Sequence, residues 1–128
     1  MNEPSFLMSS LYVALGGGFG SWLRYAIGRS IGPTAFPFAT LTVNLVGSFA
    51  MGLVAGWLAQ QGPGGESWRL LLAVGLLGGF TTFSAFSLDI ATLVQRGALG
   101  TAGLYVLASV VGGIAGLFAG LALTKAAT

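Results

Sequence analysis

The sequence predicts an all-α membrane protein with four transmembrane helices per chain, the third broken near Gly78–Thr82. Three observations lead there. Of its 128 residues, 55% are hydrophobic and only 6% charged, whereas roughly a quarter of a soluble domain is charged. The apolar residues fall into four long runs joined by short connections. The third run holds the stretch Gly78-Gly79-Phe80-Thr81-Thr82-Phe83-Ser84-Ala85-Phe86-Ser87, which is unusual material for a continuous helix. One transmembrane domain over 1–128, with little mass outside the lipid, accounts for the chain.

The elements follow in order. Residues 1–5 carry Glu3 and no Lys or Arg, so they read as a tail rather than the basic start of a signal peptide. The first span covers about 6–27 and is free of charge from Phe6 to Leu23, enough to cross, since ~20 residues traverse ~30 Å of hydrocarbon. Arg24, Arg29, Gly32, Pro33 and Pro37 lead out of it. The second span covers about 38–59 and contains Asn44. Gln60-Gln61-Gly62-Pro63-Gly64-Gly65-Glu66 is turn material. The third span covers about 68–94, Gln95-Arg96-Gly97 is a minimal loop, and the fourth covers about 98–123, before Lys125.

Glycines recur four apart: Gly16 and Gly20, Gly52 and Gly56, then Gly112, Gly116 and Gly120. At that spacing small residues let helix backbones approach closely, so these are packing faces. The third span is different. Paired glycines followed by β-branched Thr81-Thr82 disfavour helix. An unwound turn in lipid is tolerated only where protein or a water-filled path surrounds its polar groups, which is the setting of ion and substrate sites.

Charge placement is nearly balanced. The termini and second loop carry Arg69 and Lys125; the first and third loops carry Arg24, Arg29 and Arg96. So weak a bias allows insertion in both orientations. Two oppositely oriented copies pairing about an axis in the membrane plane, an antiparallel dual-topology homodimer, is the matching expectation.

Composition also excludes chemistry. With no Cys and no His there is no disulfide, no Cys/His zinc site and no Ser-His or Cys-His nucleophile. The carboxylates Glu3, Glu66 and Asp89 are far apart in sequence, which argues against an acid–base pair. The net charge of +2 is scattered and gives nucleic acid no footprint. No enzyme is expected.

The polar residues inside the spans remain. Asn44 lies between Thr40 and Gly47-Ser48 at one-turn spacing. Its amide can donate to an anion or to a neighbouring helix. Phe83 and Phe86 are three apart and share a helix face. Aromatic rings mostly serve as core, but the positive ring edge can favour a small anion without a full charge, and a full charge in a constriction could hold an ion too tightly. Thr82, Ser84 and Ser87 stand beside them. Tyr105 and Ser109, one turn apart, offer hydroxyls to a path or to another helix. Arg24 can gather anions at a mouth or anchor at the interface. Asp89 can pair with an arginine or carry a proton.

At these residues the chain resembles the small fluoride-channel family called Fluc or CrcB. The likeness lies in Gly20-Ser21-Trp22-Leu23-Arg24-Tyr25, in Thr40-Leu41-Thr42-Val43-Asn44-Leu45-Val46-Gly47 and in the third-span stretch quoted above. Length and four-span plan match as well. The resemblance implies an antiparallel dual-topology homodimer with two pores that exports fluoride passively across a bacterial inner membrane. It implies that Asn44 donates to fluoride and that Phe83 and Phe86 line its path. Thr40, Thr82, Ser84, Tyr105 and Ser109 would supply further polar contacts, and Arg24 a positive vestibule. Backbone carbonyls of Gly78 and Thr81 from both subunits would hold a structural sodium ion. Departures are Ala39, where the family commonly has Gly, Gly113, where the polar track can have Ser, and Asp89, where Glu is usual.

Such donors suit fluoride, a small, strongly hydrated ion whose water must be replaced, while a narrow Phe-walled path excludes larger halides. Two rivals remain. A small dual-topology proton-coupled cation exporter needs an intramembrane carboxylate, for which Asp89 is the candidate. A purely structural subunit would conduct nothing.

Overall fold

The computed structural model describes residues 3–126; Met1 and Asn2 of the expected N-terminal tail lie outside them. The described chain is helical and contains four helical segments long and apolar enough to cross a membrane: Phe6–Ile31, Phe38–Leu58, Gly62–Gln95 and Leu99–Lys125.

Helix α1 (Phe6–Ile31) starts where the Ser5 side chain accepts from the Met8 amide at 3.2 Å, an N-cap that satisfies one orphan donor. It continues past Arg24 and Arg29, beyond the expected end, because arginine is a good helix former. It stops at Gly32, whose φ of 73° no β-carbon obstructs. Helix α2 (Phe38–Leu58) follows Pro37. After a 3₁₀ turn, Gly62–Gly65, the third span begins.

That span has two arms. The first, α3, covers residues 66–80; its middle, Arg69–Leu77, is wound as a π-helix between α-turns Glu66–Trp68 and Gly78–Phe80. Thr81 and Thr82 are extended, with φ/ψ of −85/155° and −150/117°. The second arm, α4 (Phe83–Gln95), then begins, with the Thr82 hydroxyl accepting from the Ala85 amide at 3.1 Å. A short turn through Gly97, φ 76°, leads to α5 (Leu99–Ala126).

The interruption lies later than the glycine pair suggests. Gly78 and Gly79 are helical, and only the β-branched threonines leave the helix. Gly79 serves close approach: a β-carbon there would overlap the Gly17 carbonyl oxygen of α1 and come 3.0 Å from the Gly17 α-carbon. Gly16 and Gly20 face the same arm, where added β-carbons would come 2.9 Å from the Leu76 and Phe80 amide nitrogens respectively. Gly52 and Gly120 bring α2 and α5 together likewise, a Gly120 β-carbon meeting the Leu53 amide at 2.7 Å.

The break therefore has an architectural consequence. Arm α3 packs on α1, whereas α4 packs on α5. Its buried residues Phe86 and Leu93 join Ala102 and Tyr105 of α5, with Phe36, Leu41, Ile90 and Ala98 against them. Elsewhere large apolar side chains such as Phe6, Leu15, Leu107 and Phe118 are exposed, as lipid contact requires.

Candidate functional site

An unwound pair of residues needs partners for its backbone, and Asn44 on α2 provides them. The Thr82 amide donates to Asn44 Oδ1 at 2.8 Å, and Asn44 Nδ2 donates to the Thr82 carbonyl at 3.0 Å. The side-chain amide thus pairs with the extended residue as a neighbouring strand would. Thr81 is held from the other side: its amide and its hydroxyl both donate to the Leu77 carbonyl, at 3.0 and 2.9 Å. Its methyl lies against Gly47, where a β-carbon would overlap it.

Asn44 has two N–H donors, and the Thr82 carbonyl takes one. Of the two sequence readings of Asn44, the interhelical one is present, and one donor remains.

Two cavities meet at Thr82. The first, about 340 Å³, is lined by Asn44, Gly47, Ser48, Met51, Thr81, Thr82, Phe83, Phe86, Ser109, Val110 and Leu117. Phe83 is 79% exposed and Phe86 only 8%; their ring centroids are 5.7 Å apart and their planes tilted by 48°. The Ser109 hydroxyl is buried here without a hydrogen-bond partner among the described residues. A buried polar atom left so is costly, and an unused donor facing a groove has room for a ligand.

The second cavity, about 480 Å³, includes Arg24, Arg29, Thr40 and Thr82 in its lining. Arg24 does more than face it. Its Nε donates to the Gly79 carbonyl at 3.2 Å, and the Ser21 hydroxyl donates to the same oxygen at 3.4 Å. The arginine therefore braces the last turn of α3.

The other sequence candidates lie around this centre. Ser84 is exposed, its oxygen 3.3 Å from the Thr82 hydroxyl. Tyr105 is fully buried, its ring tilted against Phe86 at 5.1 Å and edge-on to Phe36 at 5.6 Å between centroids, and it donates to Asp89 Oδ2 at 2.9 Å. Asp89 shares a small recess with Arg96, but the hydrogen bond it accepts comes from Tyr105. Asn44, Thr82, Phe83, Phe86 and Ser109 thus share one groove, Arg24 and Thr40 line the other, and Tyr105 joins neither lining.

Sequence reasoning placed Gly47 and Ser48 beside Asn44 without giving them a role, and passed over Phe36. Gly47 seats Thr81, and its signal was a small residue three positions after Asn44. Ser48 lines the groove, four positions after Asn44 on the same helix face. Phe36 covers Tyr105 from the loop before α2, and only its place between prolines marked it.

Fold and site together define a small multi-pass membrane protein whose third span is interrupted at a largely apolar groove that carries a few polar groups, Asn44, Thr82 and Ser109 among them. The chain belongs to the CrcB family: the family model described as "CrcB-like protein, Camphor Resistance (CrcB)" matches residues 11–121. It is 55% identical over 124 residues to the fluoride-specific ion channel FluC of Novosphingobium aromaticivorans, covering 93% of this chain and 98% of that one. It is 55% identical to the protein of the same name from Rhodopseudomonas palustris, covering 94% and 100%. The like-named Caulobacter vibrioides protein is 51% identical, with 90% and 94% covered.

Proposed function

We propose that this chain conducts fluoride passively across the bacterial inner membrane, as an antiparallel dual-topology homodimer with two pathways. The observation that carries the reading is the groove itself. Neutral donors (Asn44, Thr82, Ser109) converge on it beside Phe83 and Phe86, and Ser109 has no hydrogen-bond partner among the described residues. The names of the relatives supply the ion. Neutral donors replace the hydration of a small anion without the full cationic charge that would trap it. The exposed Phe83 ring leaves the groove open on one side, where a second copy of the chain would close it. Arg24 and Arg29 would concentrate anions in the neighbouring cavity.

A sodium ion between the two copies belongs to the same proposal. Because the Thr82 amide donates to Asn44, it is not available to the Gly78 carbonyl as in a continuing helix. The extended ψ of Thr81, 155°, turns its carbonyl out of the helical row. Gly78 and Thr81 are thus suited to offer neutral oxygens to a hard cation. A bound sodium would balance these converging dipoles and tie the copies together. The exporter alternative draws no support from the names of the relatives.

Fluoride efflux from proteoliposomes, followed with a fluoride electrode beside a chloride control, tests the reading. Rapid release of fluoride with chloride retained is the expected result. Retention of both ions contradicts it. Reporter tags at the C-terminus test orientation: both membrane faces should be labelled, and labelling of one face alone excludes dual topology.

A further inference from the structure

Hydroxyls on apolar helices normally donate back to the carbonyl one turn earlier. Ser10, Ser30, Thr81, Ser87, Thr92 and Thr124 do so in this chain. Ser48 does not: it has no hydrogen-bond partner among the described residues. It is half-buried and lines the groove that contains Asn44 and Ser109.

Ser48 stands one turn beyond Asn44 on α2, and Gly113 stands one turn beyond Ser109 on α5. These rungs face each other, since a β-carbon built at Gly113 would lie 3.5 Å from the Ser48 oxygen. That is ordinary contact, so Gly113 leaves room beside the serine without being forced by packing. Past this level the lining becomes apolar, with Met51 and Leu117.

We propose that Ser48 is a further anion donor, the last hydroxyl of the groove, supplied from α2 where α5 has only Gly113. The inference rests on the reading of the groove as an anion path. The ligand class is a small, strongly hydrated anion. Ser48 would hand it between Ser109 and the apolar end, and the open space over Gly113 lets the anion reach the hydroxyl.

Fluoride efflux tests this with Ser48→Ala, Ser48→Thr and the double variant Ser48→Ala/Gly113→Ser, at equal amounts of protein with matching elution profiles. Ser48→Ala should slow efflux about fivefold, the size of one neutral hydrogen bond. A hydroxyl restored on either helix should recover the rate, so Ser48→Thr, the double variant or both should approach the parent. A Ser48→Ala rate equal to the parent overturns the proposal. So does a slow Ser48→Ala that neither hydroxyl-bearing variant improves, since Ser48 would then act through shape alone. A parent that passes no fluoride instead refutes the underlying reading of the groove.

Discussion

The two arms of the third span are held in opposite ways. Residues 66–80 lie against α1 through Gly16, Gly20 and Gly79, backbone against backbone. Phe83–Gln95 turns to α5, held by the aromatic contact of Phe86 with Tyr105 and the Tyr105–Asp89 hydrogen bond. Between them stands the Asn44 pairing with Thr82. The first arm has no room for side chains at its contact, so it suits a rigid wall. The second keeps hydroxyls and rings, so it suits chemistry. The difference teaches that the glycines and threonines of one short stretch serve separate purposes: close approach before the break and redirection at it.

The comparison predicts a ranking of effects. The largest should come from the glycine contact. Gly20→Val would force a side chain into the Leu76 carbonyl and destabilise by about 3 kcal/mol, read as a lower melting temperature in detergent. A tolerated Gly20→Val would break the claim that this arm is a fixed wall. Next comes Asn44→Ala, which strands the amide and carbonyl of Thr82 beside the groove, at about 1 kcal/mol for each, the low end for an unsatisfied group, or about 2 kcal/mol together. It should abolish fluoride efflux while α1 stays packed on α3. Asn44→Asp should be no better, because a carboxylate would repel both the Thr82 carbonyl and an anion.

Smaller again is Tyr105→Phe, which keeps the ring against Phe86 and Phe36 but removes the donor to Asp89. A loss of about 1 kcal/mol is expected, measured as a modest fall in melting temperature with slower efflux. The smallest is Glu66→Gln at the outer end of the first arm. Glu66 and Arg69 pair at 2.8 Å with side chains 36% and 49% exposed, and exposed ion pairs contribute little. Melting and efflux should both be unchanged; a clear loss would show that the wall depends on its exposed end.

Much of the fold was legible because lipid imposes long apolar runs, and the runs of this chain are separated by glycine, proline and charge. Helix ends were less legible. Arg24 and Arg29 looked like an exit, yet α1 continues through them to Gly32, since charge does not stop a helix and a positive-φ glycine does. The break was legible as a stretch but not to the residue, because Gly78 and Gly79 are kept helical by α1, which lies far away in sequence. The same limit applies at the site. Asn44 was recognisable as a polar residue needing a partner, but its partner is the Thr82 backbone, 38 positions on. No local pattern encodes such a pairing. Arg24 was likewise read from its side-chain charge, whereas its visible bond is to the Gly79 carbonyl.

The central claim is that the pairing of Asn44 with an extended Thr82 makes a neutral path for a small anion. Fluoride and chloride efflux from proteoliposomes containing the parent chain or Asn44→Ala tests it most directly. Fast fluoride release by the parent alone, with chloride retained throughout, is the predicted result. Equal fluoride release by the parent and Asn44→Ala would contradict it.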